Sequence, residues 1–173
     1  HALQLLATLY AKQGRASAND FAAQTHALFA AQTNLMDHFN HRFAGGKWNH
    51  FMDQTHIGYT SWNDPPHNTM DAIRLTTLEI PEAPAMGIAI AGSTSAWPDA
   101  QAAAVLPQFD ALNQPRQFID VFNQGQKPFA FSAKPSAPWI VLSQTAGEVQ
   151  KETRVWVSVD WNLAPTGTTH GAV

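Results

Sequence analysis

The chain has 173 residues, of which 45% are hydrophobic and 13% are charged, about half the charged fraction usual for a soluble globular domain. A formal net charge of -3 gives no electrostatic basis for binding nucleic acid or an anionic membrane. No apolar run approaches the roughly 20 residues of a membrane span, and the lack of cysteine excludes disulfide bonds and thiolate metal sites. Because the chain begins at His1 and not at methionine, we expect it to be a piece of a longer protein.

The first part of the sequence has the apolar spacing of two α-helices. Leucines at spacings of three and four predict a first helix over His1 to Gln13, which Gly14 ends as a C-terminal cap. A second helix is predicted to begin near Ser17 or Asn19, because either side chain can cap the free amides at a helix start. A helical hairpin is the expected result.

An apolar stripe runs along the second predicted helix and continues past it. Its members repeat at near-heptad spacing and are Phe21, Leu28, Phe29, Leu35, Met36, Phe39 and Phe43. Two short helices cannot bury a stripe of this width between themselves. We therefore expect the hairpin to be part of a helix bundle, with Leu28, Leu35 and Phe39 buried partly by helices outside this chain.

Two groups of histidines have the spacing of weak metal sites. His38 and His41 share one face of the second helix, and His50 and His56 flank Asp53 in the segment that follows. Neither group has a third and fourth ligand at a recognisable spacing. We interpret both groups as surface or hydrogen-bonded histidines, and we predict neither a metal site nor a cofactor.

The segment from Gly45 to Pro66 places two Trp, two His, a Tyr and a Phe between a pair of glycines and a pair of prolines. Glycine permits positive φ, and proline forces the residue before it out of helical space, so the segment is bounded at both ends. It begins Gly-Gly-Lys-Trp-Asn-His-Phe-Met-Asp-Gln-Thr-His-Ile-Gly-Tyr-Thr and continues through Trp62, Pro65, Pro66 and Asn68. This sequence closely resembles a motif of glycoside hydrolase family 115, the xylan α-glucuronidases.

The resemblance implies a place for the segment in a larger enzyme. In that family the motif lies where a helical domain, which follows the catalytic barrel, leads into a C-terminal β region. The parent enzyme would remove α-1,2-linked (4-O-methyl)glucuronic acid from xylan, with its catalytic acids in the barrel and the preceding domain. The resemblance also implies that the protein is secreted or periplasmic.

Beyond Asn68 the pattern changes to short strands. Runs of alternating or apolar residues predict strands at Met86 to Ala91, Gln117 to Asn123, Phe129 to Ala133, Trp139 to Ser143 and Arg154 to Trp161. Between the first two lies an irregular crossing loop from Ser93 to Pro115. The spacing of strands and turns is typical of an all-β sandwich.

The last predicted strands resemble those of the immunoglobulin-like modules that accompany bacterial carbohydrate enzymes. A further strand normally follows in such modules, and Thr168 to Val173 reads as its beginning. The prediction is therefore an α+β fold with a helical segment over residues 1–70 and a connector over 71–84. An incomplete immunoglobulin-like antiparallel β-sandwich, truncated at its C-terminal strand, follows over 85–173.

No catalytic motif is recognisable among the 13 acidic residues. Hydrolysis of a glycosidic bond needs two carboxyl groups that face each other across the sugar, and we therefore expect no catalytic residue in this chain. Aromatic faces suit the CH surfaces of sugars, so the candidate substrate-binding residues are Trp48, His56, Tyr59 and Trp62. The structural alternative is that Trp48 and Trp62 pack between the long helix and the sandwich.

Two functions stay open. The first is a non-catalytic, structural and cleft-forming portion of a xylan α-glucuronidase, whose partners are the catalytic barrel of the parent and, through it, glucuronoxylan. The second is a free-standing carbohydrate-binding or protein-interaction module, which three or more coplanar exposed Trp or Tyr rings would favour. No nucleic acid or membrane partner is expected, and a homodimer is left open.

Overall fold

The computed structural model describes residues 1–51, 70 and 73–173, and it has helices followed by antiparallel strands, which confirms the α+β class. The chain divides into two compact units. The helical unit comprises His1–Ala11 and Ala18–Thr77, and the β unit comprises Lys12–Ser17 and Leu78–Val173. The short turn that joins the two helices therefore belongs to the β unit.

Both predicted helices are present. Helix α1 spans Ala2–Lys12 and helix α2 spans Ala18–Asp37. Tyr10 of α1 meets Phe21 of α2 edge to face, with 5.1 Å between ring centroids. Ala7 of α1 and Ala18 and Ala22 of α2 are buried.

Leu28 and Leu35, which we expect to be buried partly by helices outside this chain, are 61% and 66% exposed within it, so their burial stays a prediction. Phe39 is half-buried and stacks on Phe43 at 5.7 Å. The buried face of α2 passes through Ala18, Ala22 and Thr25 and continues along the half-buried side chains of Phe29 and Met36. Leu28 and Leu35 each precede a member of that row by one residue, which turns them about 100° away from it.

The β unit contains two antiparallel sheets. The strands are β1 (Met86–Ile90), β2 (Gln117–Asn123), β3 (Phe129–Ser132), β4 (Ile140–Leu142), β5 (Ala146–Val149) and β6 (Glu152–Val159). Four of them form a sheet in the order β1-β2-β6-β4, and β3 pairs with β5 in the second sheet. All five predicted strands are confirmed to within a few residues, whereas β5 was missed.

The two sheets share one apolar core. Val121 of β2 and Val155 of β6 pack with Phe131 of β3 and Val149 of β5, and all four are at most 8% exposed. Alternation along β2 places Ile119 beside this core, while the even-numbered side chains from Phe118 to Phe122 project from the opposite face. That opposite face, the outer face of the four-stranded sheet, carries the charged residues described below. The immunoglobulin-like classification of the two sheets stays a prediction.

Two connecting segments complete the β unit. Residues 98–116 form neither helix nor strand, as predicted for the crossing loop. Within this loop, hydrogen bonds to the Asp110 carboxylate, above all from the Asn113 backbone N–H, hold the pKa of Asp110 below its usual value. Residues 168–173 do not form the predicted strand. Near Ala172 the segment pairs with Ser136, whose backbone N–H donates to the Ala172 carbonyl and whose Oγ accepts from the Ala172 N–H, each at 2.8 Å.

Candidate functional site

The backbone departs from regular helix immediately before the predicted motif. Helix α2 passes into a π-helical turn over His38–Arg42, and the next residues Ala44, Gly45 and Gly46 have φ of 49°, 65° and 79°. Left-handed backbone carries no steric penalty for glycine but costs about 1–2 kcal/mol for alanine. Because π turns and strained residues concentrate at functional sites, this geometry marks the start of the motif as a candidate site.

Trp48 is the one predicted substrate-binding residue that lies within the described residues. Its side chain is half-buried, and its indole meets Phe51 edge to face at 5.3 Å and 84°. Lys47 Nζ lies 5.2 Å from the Trp48 ring centroid, a cation–π distance. Phe51 remains 71% exposed. The start of the motif therefore presents an aromatic pair with a lysine beside it.

The other three predicted site residues, His56, Tyr59 and Trp62, lie outside the described residues, so their roles stay predictions. The same holds for the expected packing of Trp62 between the long helix and the sandwich. His50 is exposed, has a φ of 67°, and donates its backbone N–H to Asn49 Oδ1 at 3.0 Å. Of the four predicted site residues, the structure therefore describes Trp48 alone.

One member of the predicted histidine pair, His41 in the π-helical turn, is hydrogen-bonded to a carboxylate. His41 Nδ1 donates to Asp37 Oδ1 at 3.0 Å, and Arg42 Nη2 lies 3.4 Å from Asp37 Oδ2. All three side chains are exposed. Within residues 1–51, 70 and 73–173, no group of three or more His, Asp or Glu side chains is placed to hold a metal ion.

A buried group of charges lies on the outer face of the four-stranded sheet. Arg15 Nη1 contacts Asp120 Oδ2 at 3.3 Å and Glu152 Oε2 at 3.1 Å, while Arg154 binds both oxygens of Asp120 at 2.7 and 3.1 Å. The side chains of Arg15 and Asp120 are only 4% and 8% exposed. Two positive and two negative charges thus balance in a site where unpaired charge would be costly.

Strand register and one turn assemble this charge group. Asp120 of β2 is opposite Arg154 of β6, and Phe122 is opposite Glu152. The turn between α1 and α2 supplies Arg15, whose guanidinium carbon lies 4.6 Å from the Phe122 ring centroid and whose Nε donates to Gln13 Oε1 at 2.7 Å. The turn is therefore bound to the sheet by charge, hydrogen bonds and ring contact together.

A second group, which we call the outer-face cluster, consists of Arg116, Phe118, Arg154 and Trp156. Phe118 and Trp156 are cross-strand partners whose rings meet at 5.9 Å and 77°. The Arg154 guanidinium carbon lies 3.8 Å from the Phe118 centroid and 5.6 Å from that of Trp156, and Arg116 approaches Trp156 at 5.7 Å. Trp156 is 37% exposed. One indole ring is thus flanked by two guanidinium groups at the surface of the sheet.

Sequence reasoning missed both groups on the outer face. The alternation of the predicted strand Gln117 to Asn123 places Phe118, Asp120 and Phe122 on one face, which the structure confirms, but no consequence was drawn from a carboxylate between two aromatic residues. The position of Asp120 could have indicated a buried ion pair, because a charge on an otherwise apolar strand face needs a buried partner. Arg154 could have been proposed from the equivalent alternation of β6, whereas nothing local points to Arg15.

The described carboxylates are not arranged for glycosidic bond cleavage on this face. Asp120 accepts from two arginines, and Glu152 accepts from Arg15 and from Ser17 Oγ at 3.1 Å. Both carboxylates are therefore engaged in ion pairs and hydrogen bonds with neighbouring side chains. The chemistry that the outer face can provide is recognition through arginine and aromatic groups.

The chain was compared with models of protein families and with curated proteins, and neither comparison found a match. Within the described residues, no helix combines the length and the apolar character needed to cross a membrane. The likeness to the xylan α-glucuronidases therefore rests on the motif that begins at Gly45.

Proposed function

We propose that this chain is a non-catalytic portion of a xylan α-glucuronidase, with a structural and cleft-forming role. The observation that carries the proposal is the motif from Gly45 to Pro66, which resembles a sequence of that family. It follows α2 and the π-helical turn in the chain and precedes the strands, which is the order that the resemblance implies. The parent enzyme would be secreted or periplasmic.

Apolar side chains that are exposed to solvent on the helical unit support a role as part of a larger protein. Leu28 and Leu35 are 61% and 66% exposed, and Phe43 and Phe51 are 50% and 71% exposed. Burying a side chain of this kind is worth about 1.5–3 kcal/mol, so helices of the parent enzyme that cover them would stabilise the assembly. The exposed apolar side chains of the unit are consistent with a bundle that other helices complete.

The alternative, a free-standing carbohydrate-binding module, receives less support. Such a module would present several exposed aromatic rings in one plane. Among the Trp and Tyr residues that the structure describes, only Trp156 is exposed, and its neighbour Phe118 stands nearly perpendicular to it at 77°. The described surface therefore lacks the flat platform that would favour the module.

A glucuronidase assay on the purified chain tests the proposal. We expect no release of 4-O-methylglucuronic acid from glucuronoxylan oligosaccharides, because a rate enhancement of about a million-fold or more requires a catalytic carboxyl pair. An active xylan α-glucuronidase added to the same substrate serves as the positive control. Release by the chain alone at an enzyme-like rate would show that it is catalytic and would refute the proposed accessory role.

A further inference from the structure

The turn between helices α1 and α2 is bound to the β unit through its backbone as well as its side chains. Gln13 Nε2 donates to the Thr94 carbonyl at 3.0 Å, and Gln124 Nε2 donates to the Gln13 carbonyl at 3.2 Å. The Ala16 backbone N–H donates to the Asn123 carbonyl at 2.9 Å. The turn is therefore held as a bound peptide is held, with main-chain hydrogen bonds that fix its position.

Charge and ring contacts favour an arginine at the centre of the turn. Arg15 contacts the carboxylates of Asp120 and Glu152, and its side chain is 4% exposed. A planar guanidinium can pair with two carboxylates and stack on the Phe122 ring at the same time, which the ammonium of lysine cannot do. In the described part of the chain, both side chains that bind the Glu152 carboxylate, Arg15 and Ser17, belong to the turn. The site is therefore complete only when the turn occupies it.

The position before the arginine suits glycine for two reasons. Gly14 has a φ of 68°, a conformation that an L side chain adopts only with strain. A Cβ at this position would also stand 2.8 Å from Gln124 Nε2, so the amide that binds the turn would have to move. Backbone conformation, close approach and charge thus specify one short sequence, Gln-Gly-Arg-Ala-Ser.

The turn is distant in sequence from the strands that bind it. Residues Lys12–Ser17 belong to the β unit, but all of Ala18–Thr77 separates them from its other residues, Leu78–Val173. We propose that the outer face of the four-stranded sheet is a recognition site for an arginine-bearing turn, which it binds without help from the covalent connection between them. The occupant in this chain is the segment Gln13–Ser17. This inference uses contacts inside the β unit alone and is independent of the proposed function.

The test is to cut the folded full chain between the turn and the strands. A protease recognition sequence is inserted between Thr76 and Thr77, which are exposed and lie outside any helix or strand. Cleavage then gives a fragment 1–76 that carries the turn and a fragment 77–173 that carries the strands. A tag before His1 captures the first fragment, and a dilution series of the cut protein measures the Kd of the second. We expect a Kd of about 10 μM or less.

Variants on both fragments show whether the turn carries the association. Arg15→Met should raise the Kd at least about a hundredfold, because it leaves buried carboxylates without a partner, whereas Arg42→Met, at an exposed pair of the same fragment, should not change it. On the other fragment, Glu152→Gln removes the charge that Arg15 contacts and should raise the Kd about tenfold. Glu148→Gln, an exposed change on β5, is its control and should have no effect.

The fragments and the variants can each overturn the proposal. It is overturned if the wild-type fragments separate at about 10 μM after cleavage, or if either folded variant, Arg15→Met or Glu152→Gln, binds as tightly as the wild type. Circular dichroism of the uncut chains checks that each variant is folded. If Arg15→Met does not fold, Glu152→Gln, the milder change, decides the test by the same criterion.

Discussion

Replacing Arg15 with Met is expected to lower the free energy of unfolding by about 3–5 kcal/mol, because the change removes one partner from a buried ion pair. Arg15 contacts Asp120 and Glu152, stacks over Phe122, and donates to the buried Gln13 side chain. Methionine of similar length keeps part of the ring contact but satisfies none of the polar groups. Urea unfolding followed by near-UV circular dichroism measures the loss.

The same substitution at Arg42 is the matched control. Arg42 also pairs with an aspartate, but the Arg42 and Asp37 side chains are 73% and 49% exposed, so Arg42→Met should change stability by no more than about 1 kcal/mol. A double-mutant cycle of Arg15→Met with Asp120→Asn should give a coupling of about 0.5–3 kcal/mol. Equal losses at positions 15 and 42, with no coupling to Asp120, would mean that the buried pair does not contribute as described.

Asn123→Ala is expected to destabilise the β unit by at least about 3 kcal/mol. The Asn123 side chain is fully buried at the end of β2 and makes four hydrogen bonds to backbone groups. Its Oδ1 accepts from the N–H groups of Ala85 and Gly125, and its Nδ2 donates to the carbonyls of Lys127 and Gln150. Each buried group left without a partner costs about 1–3 kcal/mol, although some can regain water.

Asn123→Asp separates the donor role from side-chain size. A carboxylate keeps the two accepted bonds but turns an acceptor toward the Lys127 and Gln150 carbonyls, so we expect it to destabilise nearly as much as alanine. Asn113→Ala, in the exposed loop, should change stability by about 0.5 kcal/mol or less. Unfolding midpoints of the three variants provide the comparison. Wild-type stability of Asn123→Asp would contradict the assigned orientation of the amide.

The spacing of apolar residues along the chain predicted the helices and strands that have one face against a core. The leucine spacing of α1 and the alternation of β2 each depend on one face meeting one core, and the structure has both where the sequence predicts them. The alternation also predicted which β2 side chains share the outer face. What it could not predict is the partner of Asp120, since Arg15 lies 105 residues away in a turn whose local sequence indicates only a helix end.

Two features that the sequence analysis did not predict, strand β5 and the covered face of α2, can each be explained from a few residues. Strand β5 was missed because it contains Gly147, a residue that weakens strands, but the site suits glycine, since a Cβ would stand 3.0 Å from the Phe131 ring of the neighbouring strand. The face of α2 that this chain itself covers was not predicted, because apolar spacing shows which side chains share a face and not which face meets a neighbour. In this chain the covered face is the one with Ala22 and Thr25.

The reading frame that encodes this chain tests the central claim most directly. If the chain is a portion of a xylan α-glucuronidase, the frame determined from the source DNA should continue upstream of His1 into a catalytic barrel that leads to the motif at Gly45. Expression of that longer protein should yield glucuronidase activity on glucuronoxylan. A frame that encodes this chain without a barrel, or a longer protein that is inactive on glucuronoxylan, would contradict the account.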